Sequence, residues 1–256
     1  MHYYLMDPTK NITVLVTDPV PEEDQPRVAG ELLAAEKEAE QVGFISEGDG
    51  SCDIRLRMAG GEFCGNASMS AAALYVMNLK SSAKDIIVRV ACSGCTNTVF
   101  VNIRRDVDGY LGSVVMPGPI TVDEEPFTKE GFTLVRMPGI CHVFSDKEIT
   151  ESDEQLKVKL AGFCEKLGTT CAGIHYYDEK TQTMGPIVYE KTVDSLYHES
   201  SCASGTSALG VMIASKKGEN IALDVHEPGG ILRIEADPSG RAVLTGHVQL
   251  IAEKNK

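Results

Sequence analysis

Marking apolar and polar positions along the chain isolates two stretches without a single charge, residues 64–79 and 204–215, built mainly from Ala, Ser, Leu, Met and Val. Each reads as a helix, and a helix with no polar side has to be buried all round. The rest of the pattern is shorter in period. Residues 2–5 and 11–17 read as strands around a turn at Asp7-Pro8, and Gln25 to Gln41 as an amphipathic helix. Pro26 suits its first turn, Val28, Leu32, Leu33 and Ala39 form its apolar side, and Gly43 ends it. From Cys52 to Ala59 the chain alternates, with Ile54, Leu56 and Met58 on one face and Arg55 and Arg57 on the other, until Gly60-Gly61 breaks the strand. Strands are expected at 86–92, 97–104 and 111–116, the last two joined through Asp108-Gly109.

Pro117-Gly118-Pro119 interrupts this pattern, and the order then repeats. Strands at 132–137 and 141–144 precede an amphipathic helix from Asp153 to Leu167, closed by Gly168. Strand candidates at 173–177 and 186–190 lead to the second charge-free helix, followed by strands at 220–226, 231–236 and 241–251. Each half therefore runs strand, outer helix, strands, buried helix, strands. The expected fold is mixed α/β, mainly antiparallel. It has two pseudo-symmetric domains, 1–118 and 119–240, each a curved sheet around a central buried helix.

A cysteine stands directly before each charge-free helix: Cys64, in Gly-Glu-Phe-Cys-Gly-Asn, and Cys202, in Glu-Ser-Ser-Cys-Ala-Ser. A thiol there lies beside unpaired backbone N–H groups and the positive end of the helix dipole, which favour a thiolate and attract a carboxylate. If the two halves face each other, the amides of Gly65, Asn66, Ala203 and Ser204 hold a substrate carboxylate. One thiolate then takes a proton from the neighbouring carbon while the other thiol protonates the opposite face. That chemistry inverts a stereocentre with no cofactor and no metal. Glu62 and Glu199, just before the cysteines, either orient the thiols or cap the helices, capping being the plainer reading.

Composition narrows the alternatives. A net charge of −13 without a cluster of Lys or Arg excludes a nucleic-acid partner. No run reaches the ~20 apolar residues of a membrane span, and no basic segment followed by an apolar one opens the chain, so a cytoplasmic protein is expected. Eight cysteines at irregular spacing then read as free thiols. Cys92-Ser-Gly-Cys95 has redox spacing but reads as a turn between strands. His142, beside Cys141 on a strand, points to the opposite face and is read as a pocket wall. His175, His198, His226 and His247 have no metal-ligand spacing.

The paired motifs Cys64-Gly65-Asn66 and Cys202-Ala203-Ser204-Gly205-Thr206, with the early Asn11, resemble the diaminopimelate epimerase family, including its amino-acid racemases. The resemblance spans nearly the whole chain. It implies Cys64 and Cys202 as the two catalytic bases, no cofactor, and a last strand, about 241–256, that returns to the first domain. It also implies a substrate site of Asn11, Met58, Gly65, Asn66, Ile140, His142, Glu199, Ala203 and Ser204. Three departures bear on the substrate. Met58 and Ile140 stand where the family has Asn, and a Glu-Arg pair ahead of the second thiol is missing, the nearest residues being Asp194 and Ser195. A pocket without that Arg holds a second carboxylate poorly. The expected substrate is another α-amino acid, with the histidine racemases of the family the nearest analogy and lysine, ornithine or other basic amino acids open. Diaminopimelate epimerase proper, a non-catalytic amino-acid-binding protein and a thiol redox protein are the rival readings. The oligomeric state, a homodimer included, is left open.

Overall fold

The computed structural model describes residues 1–123, 127, 131–192 and 194–255. Two compact units divide them, Met1–Val115 with Leu244–Lys256, and Met116–Val243. The first contains β1 (His2–Pro8), β2 (Thr13–Val16), α1 (Gln25–Ala35), β3 (Gln41–Glu47), β4 (Ile54–Met58), α2 (Gly65–Asn78), β5 (Asp85–Cys92), β6 (Val99–Asp106) and β7 (Gly109–Val115). The second contains β8 (Thr121–Val122), β9 (Thr133–Met137), β10 (Ile140–Ser145), α3 (Asp153–Leu167), β11 (Cys171–Asp178), β12 (Thr183–Met184) and β13 (Ile187–Glu190). It continues with β14 (Ser195–His198), α4 (Ala203–Lys217), β15 (Ile221–Glu227) and β16 (Gly230–Ala236). β17 (Ala242–Asn255) then carries the chain back into the first unit.

In the first unit β1 pairs with β2, and successive strands pair onward to β7. β17 pairs with both β1 and β7, so eight strands close into a barrel-like sheet. The pairs β2–β3 and β4–β5 are parallel, each spanning a helical crossover. α2 runs inside, packed on β1, β2 and β4 to β7, and residues 65–74 are all buried. This is the reason for its composition: a helix ringed by sheet has no side on which a charge meets water. α1 packs on β3 from outside, its Val28, Ala29 and Leu32 joining Val14, Val42 and Phe44.

The second unit is also a mixed arrangement of strands and helices. β9 and β10 form an antiparallel pair, β10 lies parallel to β11, and β11 pairs antiparallel with β12 and β13. β14 adds to β13, and β12 bridges in parallel to β15, which pairs with β16. α4 packs on β8 to β10, β15 and β16, whereas α3 covers β11, β13 and β14. α3 starts with a Ser152–Gln155 capping box and ends at Gly168 in the left-handed conformation, φ 66°. Leu156, Leu160 and Cys164 bury its inner side among Leu134, Val143 and Ile174. Because side chains alternate along a strand, Val143 and Ile174 facing α3 turn their neighbours His142 and His175 to the other face.

Several boundaries depart from the sequence reading. α1 ends at Ala35, and Gln41, expected as the last residue of that helix, opens β3 instead. Gly43 is a strand residue wedged beside β4, where a Cβ would lie 2.7 Å from Leu56 Cδ1. The pull is tertiary: Val42 and Phe44 are needed in the core between β2 and β4, and no local period announces a strand so short. β1 continues through Pro8, and the chain turns at Thr9 and Lys10, both left-handed (φ 57° and 64°). β8, β12 and β14, of two to four residues, carry no readable pattern.

Candidate active site

Cys64 and Cys202 are the N-cap residues of α2 and α4, with extended backbones (φ −132°, ψ 118° and φ −123°, ψ 100°). Each sulfur reaches forward into its helix. Cys64 Sγ accepts the Ala67 N–H at 3.4 Å, and Cys202 Sγ accepts the Gly205 N–H at 3.3 Å. The cysteine carbonyls begin the helical ladders by accepting from Ser68 N–H at 3.0 Å and Thr206 N–H at 2.9 Å. The cysteines themselves are therefore the caps, not Glu62 or Glu199. The amides of Gly65 and Asn66, and of Ala203 and Ser204, remain outside the intrahelical ladder, as helix geometry requires of the first turn.

What lies behind each thiol differs. The Cys64 thiol donates to Gln41 Oε1 at 3.1 Å. Gln41 Nε2 in turn donates to Asn11 Oδ1 at 2.6 Å and Thr13 Oγ1 at 2.8 Å, which fixes the amide with its oxygen toward the sulfur. Asn11 is buried and donates to Glu40 Oε2 at 2.5 Å. The Cys64 backbone N–H is taken by the sulfur of Cys92, at the end of β5. There Gly94 (φ 73°) lets the Cys92–Cys95 turn approach, since a Cβ on it would lie 2.3 Å from the Phe63 nitrogen.

In the second unit the Cys202 thiol is hydrogen-bonded to Glu199, and Ser204 Oγ lies 3.5 Å from its sulfur. The Cys202 backbone N–H goes to Glu227 Oε2 at 2.6 Å, and the Thr206 hydroxyl donates to Glu227 Oε1. Beneath the first turn lie two imidazoles, His142 Nδ1 and His175 Nε2 2.8 Å apart and both fully buried. Gly205 leaves little room for a side chain here: a Cβ would lie 3.0 Å from His175 Cε1 and 3.2 Å from Cys202 Sγ.

Burial outweighs the pull of the helix start on both thiols. Loss of water pushes Cys64 up to about 12, with Glu62 adding to the rise and the Ala67 amide opposing it. Cys202 is pushed well above the usual 9.0 by burial and then by Glu199 and Glu227. Burial holds His142 down at about 3 and His175 well below its usual value, so both rings are neutral. Glu227, 7% exposed, is lifted from 4.5 to about 8 by the same loss of water.

Within the first unit, then, Asn11, Gly65 and Asn66 gather round Cys64 through Gln41 and the start of α2. Met58, fully buried at the end of β4, donates its N–H to Ser93 Oγ at 2.9 Å. Within the second, Glu199, Ala203 and Ser204 surround Cys202, and His142 stands behind it through His175. Ile140 opens β10 and is half-buried. Glu199 also lines a cavity of about 370 Å³ with Glu148, Tyr176 and His198.

Four residues here escaped the sequence reading: Gln41, Cys92, His175 and Glu227. Cys92 was visible in the Cys92–Cys95 spacing but was read as part of a turn, and Glu227 left a signal as a carboxylate in phase with the inward Leu223 and Val225 of β15. One group of metal-ligating side chains converges among the described residues, Asp106, Asp108 and His247, the two carboxylates being exposed on the β6–β7 hairpin. No helix among the described residues is long and apolar enough to cross a membrane.

In fold the chain is similar to a structure described as a predicted epimerase from Pseudomonas aeruginosa, with TM-score 0.76 at 15% identity over 100% of this chain and 98% of that one. It is also similar to a PhzF-family phenazine biosynthesis protein from Bacillus anthracis, with TM-score 0.71 at 12% identity over 99% and 98%. By sequence it is 32% identical over 261 residues to a histidine racemase of Fusobacterium nucleatum, covering 99% of this chain and 95% of that protein. A histidine racemase of Staphylococcus aureus is 31% identical over 242 residues, 89% of this chain and 85% of that one. The class so defined is an isomerase, a racemase acting on an amino acid. The family model of the histidine racemase CntK N-terminal domain matches residues 1–255, and the chain belongs to that family.

Proposed function

We propose that the protein interconverts the enantiomers of histidine by a two-base mechanism without pyridoxal phosphate, with Cys64 and Cys202 as the catalytic bases. The observation that carries this reading is the matched pair of thiols, each the N-cap of a helix whose first three turns are buried and without charge. One thiolate takes the Cα proton and leaves the bonding electron pair on the carbanion. The other thiol gives its proton to the opposite face of Cα. Thiolate and thiol have then exchanged places, which readies the site for the opposite enantiomer. The first-turn amides of Gly65, Asn66, Ala203 and Ser204 receive the carboxylate, onto which the carbanion charge spreads. Such aimed donors contribute about 3–4 kcal/mol each in comparable sites.

The histidine racemases to which the chain is similar favour histidine, and charge favours a basic amino acid. Glu62 bears on Cys64, and Glu199 and Glu227 bear on Cys202. Acidic groups beside both thiols favour a substrate with a basic side chain and oppose one with a second carboxylate. That argues against diaminopimelate, as do Met58 and Ile140 in place of polar readers. Burial keeps the Cys64 thiol protonated before substrate binds, so the substrate's ammonium group draws its proton off on binding. Asn11, Met58, Ile140, His142 and Glu199 complete the substrate site in this reading. Eight free cysteines fit a reducing, cytoplasmic compartment.

The test is incubation with L-histidine in heavy water, following the Cα proton by NMR and chirality by circular dichroism. D-histidine forms without added cofactor, and deuterium enters Cα in step with it. Binding without exchange would instead identify an amino-acid-binding protein, and inversion without deuterium in the product would refute the two-base mechanism. Turnover of another amino acid in preference to histidine would overturn the substrate.

A further inference from the structure

Among the described residues Glu227 is the one buried carboxyl group of the second unit, and the two-thiol chemistry leaves it unused. It closes β15 just as Cys92 closes β5, each on the strand that follows the central helix. The two residues also hold the same hydrogen bond. The backbone N–H of the first thiol residue goes to Cys92, and that of the second goes to Glu227. The first unit therefore has a neutral sulfur where the second has an acid.

We infer that Glu227 is a positioning residue for Cys202, holding the first turn of α4 through the Cys202 N–H and the Thr206 hydroxyl and, by gaining or losing its own proton, governing how readily Cys202 gives up its proton. As a neutral acid it eases ionisation of Cys202. As a carboxylate it opposes that ionisation, an effect that Gln41, which brings no charge, does not have on Cys64. The other groups facing Cys202 do not duplicate this. Glu199 approaches from the preceding loop, and Ser204 on α4 is neutral. His175 from β11 and His142 from β10 are held neutral by burial. No cation pairs with Glu227 among the described residues, so nothing nearby cancels its charge.

The catalytic meaning of this assignment rests on the two-thiol reading, but its electrostatics do not. The first test is therefore titration of each thiol by the β-carbon NMR shift of isotopically labelled cysteines, assigned with the Cys64→Ser and Cys202→Ser variants. Glu227→Gln keeps an acceptor for the Cys202 N–H and removes the charge. The Cys202 midpoint falls by about one pH unit or more while the Cys64 midpoint stays in place. An unmoved Cys202 midpoint overturns the inference. If Glu227→Gln fails to fold, Thr206→Val removes one hydrogen bond to the carboxylate and raises the Glu227 midpoint, and the step that Glu227 titration makes in the Cys202 β-carbon shift moves up in pH with it; no such step, or one that does not move, likewise overturns the inference.

Kinetics add a second readout. Two enantiomers have the same free energy, so kcat/KM is equal in both directions at every pH, and any bias between the thiols has to appear in kcat. In the unmodified enzyme the ratio of the two kcat values changes as Glu227 titrates, and Glu227→Gln abolishes that change. A ratio with the same pH dependence in both proteins counts against the inference. Full racemisation by Cys64→Ser would sink the two-thiol reading while leaving the NMR result standing as a test of Glu227.

Discussion

Cys64 and Cys202 hold the same station, yet what stands behind them is chemically unlike. Both cap a helix whose first three turns carry no charge, both turn their sulfur to the third helical amide, and both are raised by burial. Behind Cys64 is a chain of amides and hydroxyls, Gln41, Asn11 and Thr13, with Cys92 on its backbone N–H. Behind Cys202 are two carboxyl groups and a pair of neutral imidazoles. The helix start is thus the shared part of the device. The strands that follow and flank it, β3 and β5 in one unit and β11 and β15 in the other, set the protonation of each thiol separately.

The hardest test of that likeness is to remove one thiol at a time. Cys64→Ser and Cys202→Ser each lower racemisation by about 10²–10⁴-fold or more. Each variant keeps one base, so each still exchanges the Cα proton of one enantiomer, and the two variants favour opposite enantiomers. Exchange of the same enantiomer by both would end the idea of one base per face. Next come the helices. Met69 in α2 and Leu209 in α4 are both fully buried, and truncating either to Ala costs about 2–5 kcal/mol in denaturant unfolding. A large disparity between them would show that the two helices are not equivalently ringed by sheet.

The contrast between the units has its own signature in stability. The Glu227 carboxyl titrates at about 8 in the folded protein against its usual 4.5, so between those values the folded chain keeps a proton that the unfolded chain has lost. Stability therefore falls as pH rises through that window, by at most about 1.4 kcal/mol per pH unit from this group, and levels off above it. Glu227→Gln lacks that slope, which unfolding midpoints compared at about pH 5 and about pH 8 would reveal. The smallest effect mirrors the inference made for Glu227. Gln41→Glu supplies the first thiol with a charge of its own and raises the Cys64 midpoint by about one unit, measured by the same cysteine NMR shifts. A midpoint that stays put would mean that Gln41 does not govern its thiol.

Much of the fold was legible because its strongest constraints are local. The two charge-free helices, α3 between Ser152 and Gly168, and the β6–β7 hairpin at Asp108-Gly109 follow from period, caps and turn residues. β3 was not legible: its first residue, Gln41, reads as the end of the preceding helix, Gly43 reads as a stop, and pairing with β2 and β4 makes the segment a strand. The thiols and their first-turn amides were visible as a repeated motif. Gln41 and His175 were not, because nothing in their own neighbourhoods distinguishes an amide or imidazole aimed at a sulfur from one aimed at water.

The order of amino acids alone therefore determined that two thiols stand at the heads of two helices meant for burial, since absence of charge and the small residues of a tight turn are properties of contiguous chain. Only the tertiary structure decided the state of those thiols. Their protonation depends on how much water is excluded and on which groups arrive from strands distant in sequence, Gln41 for one and Glu227 for the other, and solvent exclusion is a property of the assembled core.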